Sequence, residues 1–202
     1  MTWLTHIPLL TYKHKYELVD FVETGTWRGD GLSYAKSCGY ENLFSCDINE
    51  EYASSAIEKY PFAVIYNSES IVFMENVLPS INNKTLFWLD AHFPGHYGTD
   101  ETPEQFRLPL MAELNMIKTY KKGYEHDVII CDDIRNLRCE ENPRYREGEL
   151  SEEFLLDLDW NEFVHFFDDT HVAVLTHEHD GVMTFFPKDK YTPEDEYFTY
   201  RT

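Results

Sequence analysis

Acidic residues and glycines that could bind a small ligand recur along this sequence, each near the end of a short apolar run. The first group, E-T-G-T-W-R-G-D-G, spans Glu23 to Gly31 and places three glycines at one turn. Glycine lets a backbone pass close to a ligand and adopt angles that other residues resist. The other groups are Asp47, Ser68-Glu69, Asp90-Ala-His92 and Asp132-Asp133. This pattern predicts a binding site assembled from several consecutive segments.

The segments that carry these groups alternate between strand-like and helix-like patterns. Strands are predicted at 18–22, 42–46, 62–66, 85–89 and 127–131, with helices between them, the first beginning at Asp30 as its N-cap. Two last strands, at 171–176 and 182–186, are separated by the turn signal at 178–181. The pattern predicts an α/β fold with a doubly wound, mostly parallel seven-stranded sheet and an antiparallel C-terminal strand. Ligands bind at the carboxyl ends of the strands in such sheets, where the acidic groups fall.

We interpret residues 1–202 as a single domain, because the pattern runs through the chain and breaks only at 134–169. That polar and acidic segment, with one amphipathic stretch around 154–167, is predicted to be a variable insertion on the acceptor side. His177 and His179 resemble a metal-binding fragment, but they lack further ligands and are predicted to lie in a surface turn.

The charge of the chain restricts its partners. It has 202 residues, with 17 Lys and Arg against 37 Asp and Glu, and a formal net charge of −20. Nucleic acid is disfavoured because its binding requires cations that neutralise phosphates, and an anionic surface also repels acidic membranes. Neutral acceptors such as sugars fit better. The apolar runs are too short to cross a bilayer. The absence of a signal pattern and of paired cysteines predicts a cytoplasmic location.

The glycine pattern E-x-G-x-x-x-G-x-G differs from the G-x-G-x-x-G of dinucleotide enzymes, which disfavours an oxidoreductase. It resembles the first motif of class I S-adenosylmethionine-dependent methyltransferases. The resemblance implies that Glu23 and the glycine turn face the amino acid part of S-adenosylmethionine. Asp47 would accept hydrogen bonds from the ribose hydroxyls, as an acceptor-only group can, and Ser68 and Glu69 would lie near adenine. The resemblance assigns to the cofactor Glu23, Gly25, Thr26, Gly29, Gly31, Asp47, Ser68, Glu69 and Asp90. The alternative is a glycine-rich turn without a ligand.

The acidic groups after the fourth and fifth strands suggest a metal site. Three carboxylates brought together there repel one another unless they are protonated or bridged by a cation, and oxygen ligands favour Mg²⁺ or Mn²⁺ over zinc. The arrangement resembles metal-dependent sugar O-methyltransferases of macrolide and aminocoumarin biosynthesis. That resemblance implies that Asp90, Asp132 and Asp133 bind a divalent cation and that His92 stands at the position of the catalytic base. The alternative is that Asp132 and Asp133 only begin a turn.

This chain has a histidine at position 92, where that family has a carboxylate. A histidine can still act as a base because its unperturbed pKa lies near neutrality, or it could bind the metal instead. The sequence therefore predicts a metal-assisted O-methyltransferase that acts on a hydroxyl of a sugar or glycan, with His92 and Asp90 as catalytic residues.

A narrower resemblance is to the methyltransferase domains of chlorovirus glycan-synthesis (rhamnosyltransferase) proteins. It implies rhamnose as the acceptor, fused or associated glycosyltransferase domains, and a host-cytoplasmic location. Two alternatives remain open at this point. One is a metal-independent methyltransferase that acts on a small phenolic or carboxylic acceptor, and the other is a non-catalytic Rossmann-like binding domain.

Overall fold

The structure, a computed structural model, describes residues 3–91, 108–149, 155–176 and 181–195. The helices are α1 Leu9–Tyr16, α2 Asp30–Ser37, α3 Glu50–Lys59, α4 Ser70–Val77, α5 Leu110–Tyr120 and α6 Trp160–Val164. The strands are β1 Asp20–Thr24, β2 Asn42–Asp47, β3 Ala63–Asn67, β4 Thr85–Leu89, β5 Val128–Cys131, β6 Leu137–Arg138, β7 Leu156–Asp157, β8 His171–Thr176 and β9 Val182–Pro187.

Seven strands form one sheet in the order β3-β2-β1-β4-β5-β9-β8. The pairs among β1 to β5 are parallel, whereas β9 runs antiparallel to both β5 and β8. The predicted α/β fold with its antiparallel C-terminal strand is confirmed. Since β1 to β5 run in the same direction, their carboxyl ends lie along a single edge of the sheet.

The sheet separates two apolar cores. Successive residues of β4, for example Phe87 and Trp88, enter opposite cores, because side chains alternate along a strand. Helices α4, α5 and α6 cover one face, while α1, α2 and α3 cover the other. Burial on both faces explains why β4 and β5 are almost uniformly apolar.

The ends of the elements differ from the prediction at two places that matter for the site. The first strand was predicted to stop before Glu23, but β1 extends through Glu23 to Thr24. Asp30 was predicted as the N-cap of the next helix, but Gly29 takes that position with φ of 73°. Asp30 is instead the first residue of α2, where a carboxylate interacts favourably with the positive end of the helix dipole.

Three elements were not predicted. Helix α1 precedes β1 in the chain. Its Tyr16 hydroxyl donates to the buried Asp195 carboxylate at 2.8 Å. Strands β6 and β7 form a separate parallel pair within the 134–169 segment. Within the amphipathic stretch predicted around 154–167, the only helix among the described residues is the short α6. No helix in the described ranges is long and apolar enough to span a membrane.

Candidate functional site

Backbone hydrogen bonds join the strand ends at the carboxyl edge of the sheet. The Asp90 N–H donates to the Thr24 carbonyl at 3.2 Å, and the Asp132 N–H donates to the Leu89 carbonyl at 3.0 Å. After β1, the N–H groups of Gly25 and Thr26 both donate to the Cys46 carbonyl at 3.0 Å. The ends of β1, β2, β4 and β5 are thereby brought together. The turn from β1 to α2 lies at their centre.

The three glycines of that turn face other parts of the protein. Gly25 has φ of +85°, and a Cβ built on it would lie 2.7 Å from the Asp90 carbonyl oxygen. A Cβ on Gly29 would lie 2.1 Å from the Tyr60 ring, and one on Gly31 would lie 1.8 Å from Glu23 Oε1. The glycines therefore permit close packing of the turn. Contact of Gly29 and Gly31 with a cofactor stays a prediction.

Asp47 is held by the backbone on both of its carboxylate oxygens. The Trp27 N–H donates to Oδ2 at 2.7 Å, and the Asn49 N–H donates to Oδ1 at 2.9 Å. Partial burial raises the pKa of Asp47, and these two hydrogen bonds oppose that rise. A carboxylate has roughly four lone-pair positions, so acceptor capacity remains for the two hydroxyls of a ribose. The binding of ribose by Asp47 stays a prediction.

Glu23 lies beneath the turn and is only 3 % exposed. Its Oε2 accepts a hydrogen bond from Ser45 Oγ at 2.9 Å, and Ser45 Oγ is 2.6 Å from Thr26 Oγ1. Burial raises the pKa of Glu23 well above its ordinary value, while the Ser45 hydrogen bond opposes the rise. Nearby carboxylates raise the pKa further: these are Asp90, Asp47 and Asp30.

The predicted adenine contacts lie next to Asp47. The Ser68 N–H donates to the Asp47 carbonyl at 3.0 Å, and the Ser68 hydroxyl donates to the Glu69 carbonyl at 3.0 Å. Glu69 is the extended residue before α4. Both side chains are half-buried. The structure thus places Ser68 and Glu69 beside the ribose-binding candidate, and their contact with adenine stays a prediction.

On the acceptor side, Asp90 is half-buried at the end of β4. The buried Trp88 indole donates from Nε1 to Asp90 Oδ2 at 3.2 Å. The Asp90 N–H also lies 3.3 Å from Thr24 Oγ1. These contacts fix Asp90 beside Gly25. His92, the predicted base, lies outside the described residues.

Asp132 and Asp133 form a turn after β5. Asp132 Oδ1 accepts from the Asp133 N–H at 2.8 Å. Asp133 has a left-handed backbone (φ of 55°), and its Oδ1 lies 4.0 Å from Arg135 Nε. Within the described ranges, no group of three or more His, Cys, Asp or Glu residues is arranged to hold a metal ion. The assignment of Asp90, Asp132 and Asp133 as metal ligands stays a prediction.

Sequence reasoning missed three residues of this site. Ser45 supports Glu23, and the backbone N–H groups of Trp27 and Asn49 hold Asp47. Ser45 pairs in register with Glu23 across β1 and β2. A hydroxyl that interrupts an apolar strand beside a buried carboxylate was the available signal. The two backbone donors leave no such signal, because every residue except proline has an N–H.

No family model and no curated protein matches the chain. Solved structures do resemble it. A putative caffeoyl-CoA O-methyltransferase from Staphylococcus aureus has a TM-score of 0.61 at 15% identity, with 93% of this chain and 84% of that one covered. A Bacillus cereus O-methyltransferase solved with S-adenosylhomocysteine has a TM-score of 0.59 at 11% identity, covering 92% and 82%. A Podospora anserina methyltransferase bound to S-adenosylhomocysteine has a TM-score of 0.58 at 12% identity, covering 90% and 76%. The chain has the Rossmann-like methyltransferase fold.

Proposed function

We propose that this chain is an S-adenosylmethionine-dependent O-methyltransferase whose acceptor is a sugar hydroxyl. The cofactor assignment is supported mainly by Asp47. Two backbone N–H groups orient its carboxylate directly beside the β1–α2 turn. The similar folds of O-methyltransferases from Staphylococcus aureus and Bacillus cereus support the same reaction class. Support for a neutral sugar comes from the net charge of −20 and from the sequence resemblance.

The residues around the turn have distinct tasks in this proposal. When bound, the cofactor supplies a methyl group activated by a positively charged sulfur. Asp47 binds the ribose hydroxyls, and Glu23 faces the amino acid part of the cofactor from below the turn. Asp90, fixed by the Trp88 indole, lies between this cofactor site and the acceptor. Fixed donors and acceptors of this kind lower the barrier by orienting the reactants before the reaction begins.

Methyl transfer then needs one proton acceptor. The acceptor oxygen forms a bond to the methyl carbon while the carbon–sulfur bond breaks, and the bonding electron pair stays on sulfur. The hydroxyl proton passes to His92, which we propose as the base because an imidazole titrates near neutral pH. Asp90 would stabilise the resulting imidazolium.

Metal assistance is a separate part of the proposal. It depends on the resemblance of the Asp90, Asp132 and Asp133 pattern to metal-dependent sugar methyltransferases, and no step above passes through a cation. Rhamnose as the acceptor, an associated glycosyltransferase and a host-cytoplasmic location are likewise proposals from the sequence resemblance. Methyl transfer to a panel of sugars, with Mg²⁺ or Mn²⁺ and with EDTA, tests the acceptor and the metal requirement. Transfer that EDTA does not change would exclude a metal requirement.

Calorimetric titration with S-adenosylhomocysteine tests the cofactor assignment. We expect micromolar binding by the wild type and a loss of about tenfold or more in Asp47→Ala, because hydrogen bonds to a charged group are lost. Glu75→Ala, which removes an exposed carboxylate from α4, is the control and should bind like the wild type. A protein that binds no S-adenosylhomocysteine, or an Asp47→Ala variant with wild-type affinity, would refute the assignment.

A further inference from the structure

Three buried polar side chains form a continuous chain under the β1–α2 turn. Glu23, Ser45 and Thr26 are 3 %, 0 % and 3 % exposed. Their atoms are linked by the 2.9 Å contact between Ser45 Oγ and Glu23 Oε2 and the 2.6 Å contact between Ser45 Oγ and Thr26 Oγ1. Burying such groups is unfavourable unless they bond to one another. Three buried polar groups linked in this way therefore indicate a role beyond packing.

The direction of the hydrogen bonds follows from the chemistry of the groups. A carboxylate can only accept, so an ionised Glu23 receives the single hydroxyl hydrogen of Ser45. Ser45 Oγ must then accept the hydrogen of Thr26 Oγ1. The Thr26 N–H is already used by the Cys46 carbonyl. Both polar hydrogens of Thr26 thus bond within the protein, which leaves it suited to supporting Glu23 and not to donating to a ligand.

The charges around Glu23 indicate what the supported carboxylate can bind. Three further carboxylates act on it, from Asp90 after β4, Asp47 at the end of β2 and Asp30 in α2. All three raise the cost of its negative charge. A cation brought to this position would relieve that cost. The amino acid part of S-adenosylmethionine carries such a cation, its α-ammonium group.

We infer that Ser45 and Thr26 are positioning residues, whose hydroxyl chain holds the Glu23 carboxylate for the ammonium group of the bound cofactor. This inference rests on the proposed function. It moves Thr26 from direct contact with the cofactor to support of Glu23. Because each hydroxyl has one hydrogen, removal of Ser45 Oγ breaks both links at once.

The test compares two ligands that differ in the amino acid part. S-adenosylhomocysteine carries the ammonium group, whereas 5′-methylthioadenosine has the same adenosine and sulfur but lacks the amino acid part. In Ser45→Ala we expect affinity for S-adenosylhomocysteine to fall about tenfold and affinity for 5′-methylthioadenosine to stay within about twofold. Ser45→Thr restores a hydroxyl and should regain most of the lost affinity. Thr85→Val removes a buried hydroxyl at the opposite end of the sheet and should bind both ligands like the wild type.

The outcomes separate this inference from the proposed function. An equal loss for both ligands in Ser45→Ala would mean a general structural role and would overturn the inference, as would no loss for either ligand. In both cases the wild-type protein still binds, and the cofactor assignment stands. A wild-type protein that binds neither ligand would overturn the proposed function and this inference together.

Discussion

The glycines of the β1–α2 turn show that one residue type can serve different physical purposes at neighbouring positions. Gly25 has a left-handed backbone and also lies against the backbone of Asp90. Gly31 lacks a positive φ, and its missing side chain makes room for the Glu23 carboxylate. Gly25 thus brings the ends of β1 and β4 together, while Gly31 allows the buried carboxyl group of Glu23 to approach the first turn of α2.

Gly25→Ala and Gly123→Ala distinguish the need for a left-handed backbone from the need for space at the Cβ position. Both glycines have a positive φ, +85° and +74°, but a Cβ on Gly123 would meet nothing within 4 Å. We expect Gly123→Ala to lower the free energy of unfolding by about 1 kcal/mol, from backbone strain alone. Gly25→Ala should cost about 2–4 kcal/mol, because its Cβ also collides with the Asp90 carbonyl. Urea unfolding measures both, and equal losses would show that space at Gly25 is not limiting.

At the scale of elements, Asn49 links a helix to the site. Its side-chain Oδ1 accepts from the N–H groups of Glu51 and Tyr52 and caps α3. Its own N–H donates to Asp47 Oδ1. The start of α3 therefore fixes the carboxylate at the end of β2.

Because only the side chain caps the helix, Asn49→Ala should affect stability more than binding. We expect it to lower the free energy of unfolding by about 1 kcal/mol, while S-adenosylhomocysteine affinity stays within about threefold because the backbone N–H is retained. Asn49→Ser keeps a capping oxygen and should retain most of the stability. Equal destabilisation by Ala and Ser in chemical denaturation would argue against capping as the role of this side chain.

The central elements were predictable because their signals are local. Residues 86–89 form an apolar run between polar residues, and the structure has β4 at Thr85–Leu89. Helix α1 was not predicted: its place depends on contacts such as that between Tyr16 and Asp195, which are far apart in sequence. The acidic strand ends were predictable in position but not in orientation. The Asp132 carboxylate accepts a hydrogen bond from the next backbone N–H, and the sequence pattern does not indicate this contact.

At the scale of the whole molecule, the two ends of the sheet carry different polar networks. Opposite the candidate site, Lys121 Nζ lies 3.1 Å from Asp127 Oδ2, and both side chains are buried. Asp127 Oδ1 accepts from the Thr85 N–H at 2.8 Å, and the Asp127 carbonyl contacts His171 Nε2 at 3.0 Å. This network joins β4, β5 and β8. We assign it to stability, since it lies at the end of the sheet away from the proposed cofactor.

His171 gives this network a dependence on pH. A carbonyl can only accept, so Nε2 carries the hydrogen that it donates to the Asp127 carbonyl. Nδ1 lies 2.7 Å from the Thr170 hydroxyl, which donates to it when the imidazole is neutral. Burial lowers the pKa of His171 from 6.5 to about 4. Because the folded pKa lies below the unfolded one, the stabilisation is complete above pH 6.5 and is lost as the pH falls through about 4.

His171→Gln removes this titration and should change the pH profile of stability. The stability advantage of the wild type over His171→Gln should shrink by about 3 kcal/mol as the pH falls from about 7 to about 4. Burial also raises the pKa of the neighbouring Asp127 carboxyl to about 7, and because this group is present in both proteins the comparison is made as a difference at each pH. Urea unfolding at several pH values measures it, with His14→Gln, at an exposed histidine, as the control. A difference that does not change with pH would mean that His171 is not held in its neutral form by folding, and that the network at this end of the sheet does not depend on its protonation.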